Sequence, residues 1–277
     1  MTKLISSLQN PLIKNILLLE EKPRERKIQN LIVIEGFREI RLALQSGFNI
    51  TTLIYCRELI NDKDLNNLVS QALRSFEMLE VPAEIYNKLA YRKDYGGVIA
   101  LANPKRLLFR DIKLSRNPLI LVLESVEKPG NLGAILRTAD AANLDAVIIC
   151  DPQTDIYNPN SIRSSLGCIF TMPVVTSTTE HTIMWLRSNK IAMYATALTA
   201  THFYHENDFR HASALIMGSE ASGLSQKWMD ETDHLIKIPM NGKIDSMNVS
   251  ASAAIVVFEA LRQRNFIQIK NHAASEF

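Results

Sequence analysis

Six short apolar runs, at residues 119–123, 146–150, 173–175, 191–196, 214–217 and 234–238, alternate with segments of helical spacing through the second half of this chain. Apolar runs without a polar alternate suit strands covered on both faces, the arrangement produced when helices cross over between parallel strands. The pattern predicts βαβ units and a largely parallel sheet. The first half carries a looser version of the same alternation. Asn10-Pro11 opens an amphipathic helix with Leu12, Ile16 and Leu19 on one face, and residues 22–27 read as a charged connector around Pro23. Strands are predicted at 31–34, 52–55 and 98–101, and helices at 35–46, 65–76 and 81–90. A basic, proline-bounded stretch follows Asn103. It divides the chain into a domain over 1–104, a linker over 105–117 and a second domain over 118–277.

At 277 residues, 47% hydrophobic and 22% charged, the chain can bury two cores and has the composition of a soluble globular protein. The formal charge of +2 argues for no partner, but it is unevenly divided, with residues 1–115 at net +5 and residues 116–277 at net −3. A basic half beside a slightly acidic one fits a polyanion-binding module joined to a small-molecule domain, and fits uneven solvation equally well. Cys56, Cys150 and Cys168 form no C-x-x-C pair, which argues against a disulfide framework or a zinc site and suits a reducing cytoplasm. No signal-peptide pattern and no apolar run of membrane-spanning length is present, so the expectation is a soluble cytoplasmic protein without a metal.

Three loops follow strand-like runs, and loops at the ends of separate parallel strands converge on one sheet edge. In the first, Pro129-Gly130 breaks the chain, Asn131 reads as an N-cap, and Gly133 and Arg137 lie one turn apart on one helix face. The second, Gly218-Ser219-Glu220-Ala221-Ser222-Gly223-Leu224, has the glycine spacing of a phosphate loop. Leu224 nevertheless stands where a nucleoside triphosphatase needs lysine, and Glu220 would repel phosphates, so the loop suits a ligand of little negative charge or a cationic one. In the third, Ile238-Pro239-Met240 ends a strand and Ser246-Met247-Asn248 leads into a helix with Ala251, Ala254, Ile255, Phe258 and Leu261 on one face.

In this order the three segments resemble the three motifs of the SpoU (TrmH-like) RNA ribose methyltransferases of the SPOUT superfamily, over about residues 117–265. The likeness rests on Asn131, Gly133 and Arg137, then Gly218, Glu220 and Gly223, then Pro239, Met240, Ser246, Asn248, Val249 and Ser250. The first half more loosely resembles that family's L30e-like substrate-binding extension, through Asn10-Pro11-x-x-Lys14, Ile34-Glu35-Gly36-x-Arg38 and Gly96-Gly97-Val98. Ser219, Met247 and Glu127-Lys128-Pro129 depart from the family's usual residues, and the change at Lys128 leaves RNA contacts near the first motif open.

The resemblance implies an α/β fold with a deep trefoil knot, a homodimer, and transfer of methyl from S-adenosylmethionine to a ribose 2′-OH. Arg137 would be catalytic, with Asn131, Glu220, Ser246 and Asn248 orienting it and the target nucleotide. Thr196, Leu198, Met217, Gly218, Gly223, Ile238, Met240 and Met247 would hold the cofactor, and Arg38, Arg92, Lys93, Lys128 and Arg163 would contact RNA. A ribose hydroxyl needs its proton removed or its oxyanion stabilised, and the high pKa of arginine favours the second role without closing the first. The amino-terminal extension favours ribosomal over transfer RNA. A base methyltransferase and a non-catalytic RNA-binding dimer are the competing readings.

Overall fold

The computed structural model describes residues 3–91, 96–244 and 246–266. Its chain divides into two compact units, one of residues 1–105 with 155–171, the other of residues 106–154 with 172–277. The expected boundary region 105–117 thus begins where the first unit ends, and a second stretch of chain also belongs to that unit. Among the described residues no helix is long and apolar enough to cross a membrane. The three cysteines are buried and free.

The first unit is built on strands β1 (Lys3–Leu4), β2 (Ile32–Glu35), β3 (Ile50–Tyr55), β4 (Glu77–Glu80) and β5 (Val98–Ala102), in the order β1-β4-β3-β5-β2. β1, β4 and β3 run parallel, whereas β5 is antiparallel to both β3 and β2. Asn10 caps the Pro11–Glu21 helix by accepting the Leu12 N–H at 2.9 Å. That helix buries Ile13, Ile16 and Leu19 in a core with Val33, Ile54, Leu79, Ile85 and Ile99. Residues 22–27 are not a connector. They enter a helix, Pro23–Gln29, because proline at the first helical position gives up an N–H that would be unpaired anyway and supplies a helical φ. Arg26 of that helix is 3% exposed, and its Nε donates to Asp155 Oδ2 at 2.6 Å. Strand β4 falls in the gap between the helices predicted at 65–76 and 81–90 and was not foreseen, and the first of those helices, observed as Asp62–Ser70, stops early. Phe48 holds the 155–171 segment edge-on through Tyr157 and Phe170, at 6.1 and 5.0 Å between ring centroids.

The second unit carries seven strands, β6 (Leu119–Glu124), β7 (Ala146–Cys150), β8 (Val174–Ser177), β9 (Ala192–Thr196), β10 (His202–Phe203), β11 (Ser213–Met217) and β12 (His234–Lys237). All run parallel in the order β10-β12-β9-β11-β6-β7-β8, as the apolar runs predicted. Only the two-residue β10 went unforeseen. β6, β11 and β9 form the centre, with Leu215 paired to Leu121 on one side and Tyr194 on the other. The Pro129–Ala141 helix packs against the last one, Val249–Gln263. Beyond that helix Arg264 is 8% exposed and donates to the carbonyls of Phe209 (Nε, 2.7 Å) and Asn117 (Nη1, 2.7 Å). Burial lowers its pKa, opposed by the charge of Asp145, while these carbonyls take up its N–H groups.

One ionisable group of the first unit is mismatched to its surroundings. Among the described residues, Glu20 Oε1 is buried without a hydrogen-bond partner. Burial, reinforced by Glu35, pushes its carboxyl from 4.5 up to about 7, although Arg163 opposes the shift. The folded-state value lies above the unfolded one, so this group's stabilising contribution is complete below about 4.5 and is lost as pH rises through about 7. Glu20→Gln should therefore stabilise the protein at pH 8, by about 1–3 kcal/mol, and change little at pH 5. Thermal melts at the two pH values check this, and an equal shift at both would contradict it.

Candidate active site

The three loops after β6, β11 and β12 leave the same edge of the sheet, because all these strands are parallel. The first enters the Pro129–Ala141 helix one turn earlier than the sequence suggests. Lys128 is the capping position, and Asn131 lies inside the first turn. Its side chain is therefore not spent on capping. Asn131 Nδ2 donates to Glu220 Oε1, and Asn131 Oδ1 accepts from Asn248 Nδ2 at 3.2 Å. The other oxygen of Glu220 faces Lys128 Nζ at 3.8 Å.

Asn248 is the N-cap of the Val249–Gln263 helix, its Oδ1 accepting the Ser250 N–H at 3.0 Å. Its amide oxygen thus serves the helix and its amide nitrogen serves Asn131. Donation runs in one direction, from Asn248 to Asn131 to Glu220, with one residue from each loop. Ser246 has no hydrogen bond to this trio among the described residues, and it lies exposed beside it in sequence.

The second loop is a closed turn. Ser219 and Gly223 exchange backbone hydrogen bonds at 3.1 and 3.0 Å, and Ser222 N–H donates to Ser219 Oγ at 3.1 Å. Gly223 has φ +68°, a left-handed conformation open to glycine. At Gly218 a Cβ would drive into the Gly223 carbonyl, so the backbone closes on itself there. The helix expected after the turn starts only at Gln226.

Glu124 was not legible as a site residue. It ends β6, is 6% exposed, and accepts the Ser225 N–H at 2.7 Å and the Thr179 hydroxyl at 3.2 Å. It ties the far end of the Gly218–Gly223 turn to the strand that feeds the first loop. The available signal was a carboxylate terminating an otherwise apolar run.

Around this polar line the loops present apolar groups. Leu198, Met240 and Met247 are 64%, 36% and 40% exposed on the segments after β9 and β12, while Met217 and Ile238 stand at or beside strand ends. Thr196 Oγ1 donates to the Ile216 carbonyl at 3.0 Å, pinning the end of β9 to that of β11. Arg137 is exposed and has no polar partner among the described residues.

The remaining sequence-predicted residues lie in the first unit. Arg38 is exposed. Arg163 is engaged within the unit, donating to Asn160 Oδ1 at 2.6 Å and Glu35 Oε2 at 3.3 Å. Arg92 and Lys93 fall outside the described residues.

The chain is similar in sequence and fold to known proteins. Residues 118–258 match the SpoU rRNA methylase family, and residues 10–100 match the MRM3-like substrate binding domain. The chain is 28% identical over 256 residues to the 23S rRNA (guanosine(2553)-2′-O)-methyltransferase RlmP of Bacillus subtilis (strain 168), spanning 92% of this chain and 98% of that protein. It is 32% identical over 238 residues to the 23S rRNA (guanosine-2′-O-)-methyltransferase RlmB of Bordetella pertussis, spanning 84% of this chain and 97% of that one. The crystal structure of an AdoMet-bound rRNA methyltransferase from Sinorhizobium meliloti superposes with a TM-score of 0.87 at 29% identity, covering 94% of this chain and 98% of that one. With its three loops joined at one sheet edge, this chain belongs to the SpoU rRNA methylase family.

Proposed function

We propose that this chain methylates a ribose 2′-OH of ribosomal RNA with S-adenosylmethionine as donor. The observation that carries the reading is the line Asn248–Asn131–Glu220, which brings the three loops into one constellation, with Arg137 exposed on the helix that bears Asn131. A pure scaffold has no use for it. The named activities of the similar proteins, 23S rRNA 2′-O-methyltransferases, support the same reaction and favour ribosomal over transfer RNA.

The residues present fit the donor. At Gly223 a Cβ would meet nothing within 4 Å, so main chain lies open on that side of the turn, and Leu198, Met240 and Met247 offer exposed apolar surface. We assign these three, with Thr196, Met217, Gly218, Gly223 and Ile238, to holding S-adenosylmethionine. The bound donor supplies an electrophilic methyl on a sulfonium that leaves as a neutral thioether, so the reaction needs no metal.

The protein's share is to present the oxygen. Arg137, exposed and without a polar partner among the described residues, stabilises negative charge developing on the 2′-oxygen, because a guanidinium offers fixed positive charge and several N–H donors. Asn131 and Asn248 orient the sugar from a fixed polar line. Glu220, held by Asn131 and Lys128, keeps that line from rotating and places negative charge near a cationic ligand. Arg38 and Lys128, with Arg92, Lys93 and Arg163, belong to the RNA-facing set of this proposal.

The fold implied by the family's resemblance completes it. β12 lies beyond β9 from β11, yet the following helix returns to pack on the Pro129–Ala141 helix and on β11. That return supports a chain threaded through the earlier loops as a trefoil knot. A homodimer in the cytoplasm belongs to the same reading, and Phe258, 44% exposed on the last helix, gives it an apolar surface.

Two outcomes follow. Given methyl-labelled S-adenosylmethionine and unmodified ribosomal RNA, the protein should leave label in alkali-resistant dinucleotides, and Arg137→Ala should lower that rate about 10²–10³-fold with donor affinity kept. Label in alkali-sensitive positions, or full turnover by the variant, would overturn the assignment. Gly218→Ala should raise the dissociation constant for S-adenosylmethionine at least about tenfold in calorimetric titration, since the new methyl has no space.

A further inference from the structure

Tyr91 of the first unit is 68% exposed. A lone exposed tyrosine needs no explanation. This one is held in place from two directions. Its backbone N–H donates to Glu35 Oε2 at 3.2 Å, and the Arg163 guanidinium sits over its ring, 4.1 Å from the centroid. Arg163 is itself fixed, because Nη1 donates to the same Glu35 oxygen at 3.3 Å and Nη2 to Asn160 Oδ1 at 2.6 Å. Glu35 is 5% exposed at the end of β2, so the whole arrangement rests on a buried carboxylate.

The consequence is an aromatic plate with a cation over its ring on a residue that stays 68% exposed. A ring immobilised in this way loses little freedom when a second flat group stacks on it, which is how proteins bind unpaired nucleobases. Within three residues of Tyr91 the sequence holds Lys88, Arg92 and Lys93 against one acid, Asp94, a net positive surround that suits the phosphates on either side of a stacked base. A paired duplex hides its base faces and offers nothing to this plate.

We propose that Tyr91 is a stacking site for an unpaired nucleobase of the RNA substrate, with Arg163 as its positioning residue. The proposal rests on the RNA reading above and deepens it: the substrate segment recognised by the first unit is single-stranded, a loop or a bulge.

The test uses the full chain with two RNA probes, a hairpin with a mixed-sequence loop and a fully paired duplex of equal length. Tyr91→Ala should weaken hairpin binding about tenfold and duplex binding less than twofold, and Tyr91→Phe, which keeps the ring, should bind the hairpin like the wild type. Unchanged melting temperature and S-adenosylmethionine affinity show that the variants are folded. Hairpin binding by Tyr91→Ala equal to the wild type would overturn the stacking site alone. Equal weakening for both probes would overturn it in favour of a general electrostatic surface. Failure of the wild-type protein to bind either RNA would instead remove the RNA reading itself.

Discussion

The side-chain amide of Asn131 joins parts of the chain 89 and 117 residues away, through Glu220 and Asn248. An asparagine side chain has one acceptor oxygen and one donor nitrogen, and here each is directed to a different loop. Because Asn248 gives its own oxygen to the helix it caps, only its nitrogen is left for Asn131, and the polarity of the whole line is set. Both bonds run through the one amide of Asn131, so a change at either neighbour is felt by the other. That coupling allows loops to hold a fixed geometry.

Everything that positions the line is placed by packing elsewhere. The parallel sheet brings the loop-bearing strand ends to one edge. Glu124 pins the far end of the Gly218–Gly223 turn to β6, and Thr196 ties β9 to β11. The location of Asn248 depends on the helix it begins, and that helix is secured at its other end by Arg264, whose buried guanidinium bonds the carbonyls of Phe209 and Asn117. A buried cation satisfied by several carbonyls tolerates little displacement, so the carboxyl end of the helix steadies the amino end.

The apolar runs of the second unit made its sheet legible, because their shortness and their alternation with helical spacing mark strands covered on both faces. The three loops were legible as a site for a related reason: glycine, asparagine and glutamate recur directly after those runs. Less visible were features whose cause is tertiary. Pro23 reads as a breaker until its helix is seen to start there, with Arg26 buried against Asp155, 129 residues later. Asn131 has the residue type of a cap, but Pro129 starts the helix earlier and frees it. β4, with the sequence Glu-Met-Leu-Glu, has little strand character of its own and exists because β1 and β3 flank it. The membership of residues 155–171 in the first unit has no local signal either. It comes from Phe48 and Arg26 finding partners there.

The central claim is that the three loops act as one unit through Asn131. A double-mutant cycle on Asn131→Ala and Asn248→Ala, read by single-turnover methyl transfer to ribosomal RNA, tests it most directly. If the two amides work through one line, coupling is strong, and the double variant loses little more than the worse single variant. Losses that add within about 0.5 kcal/mol would mean the two amides act independently, and would contradict it.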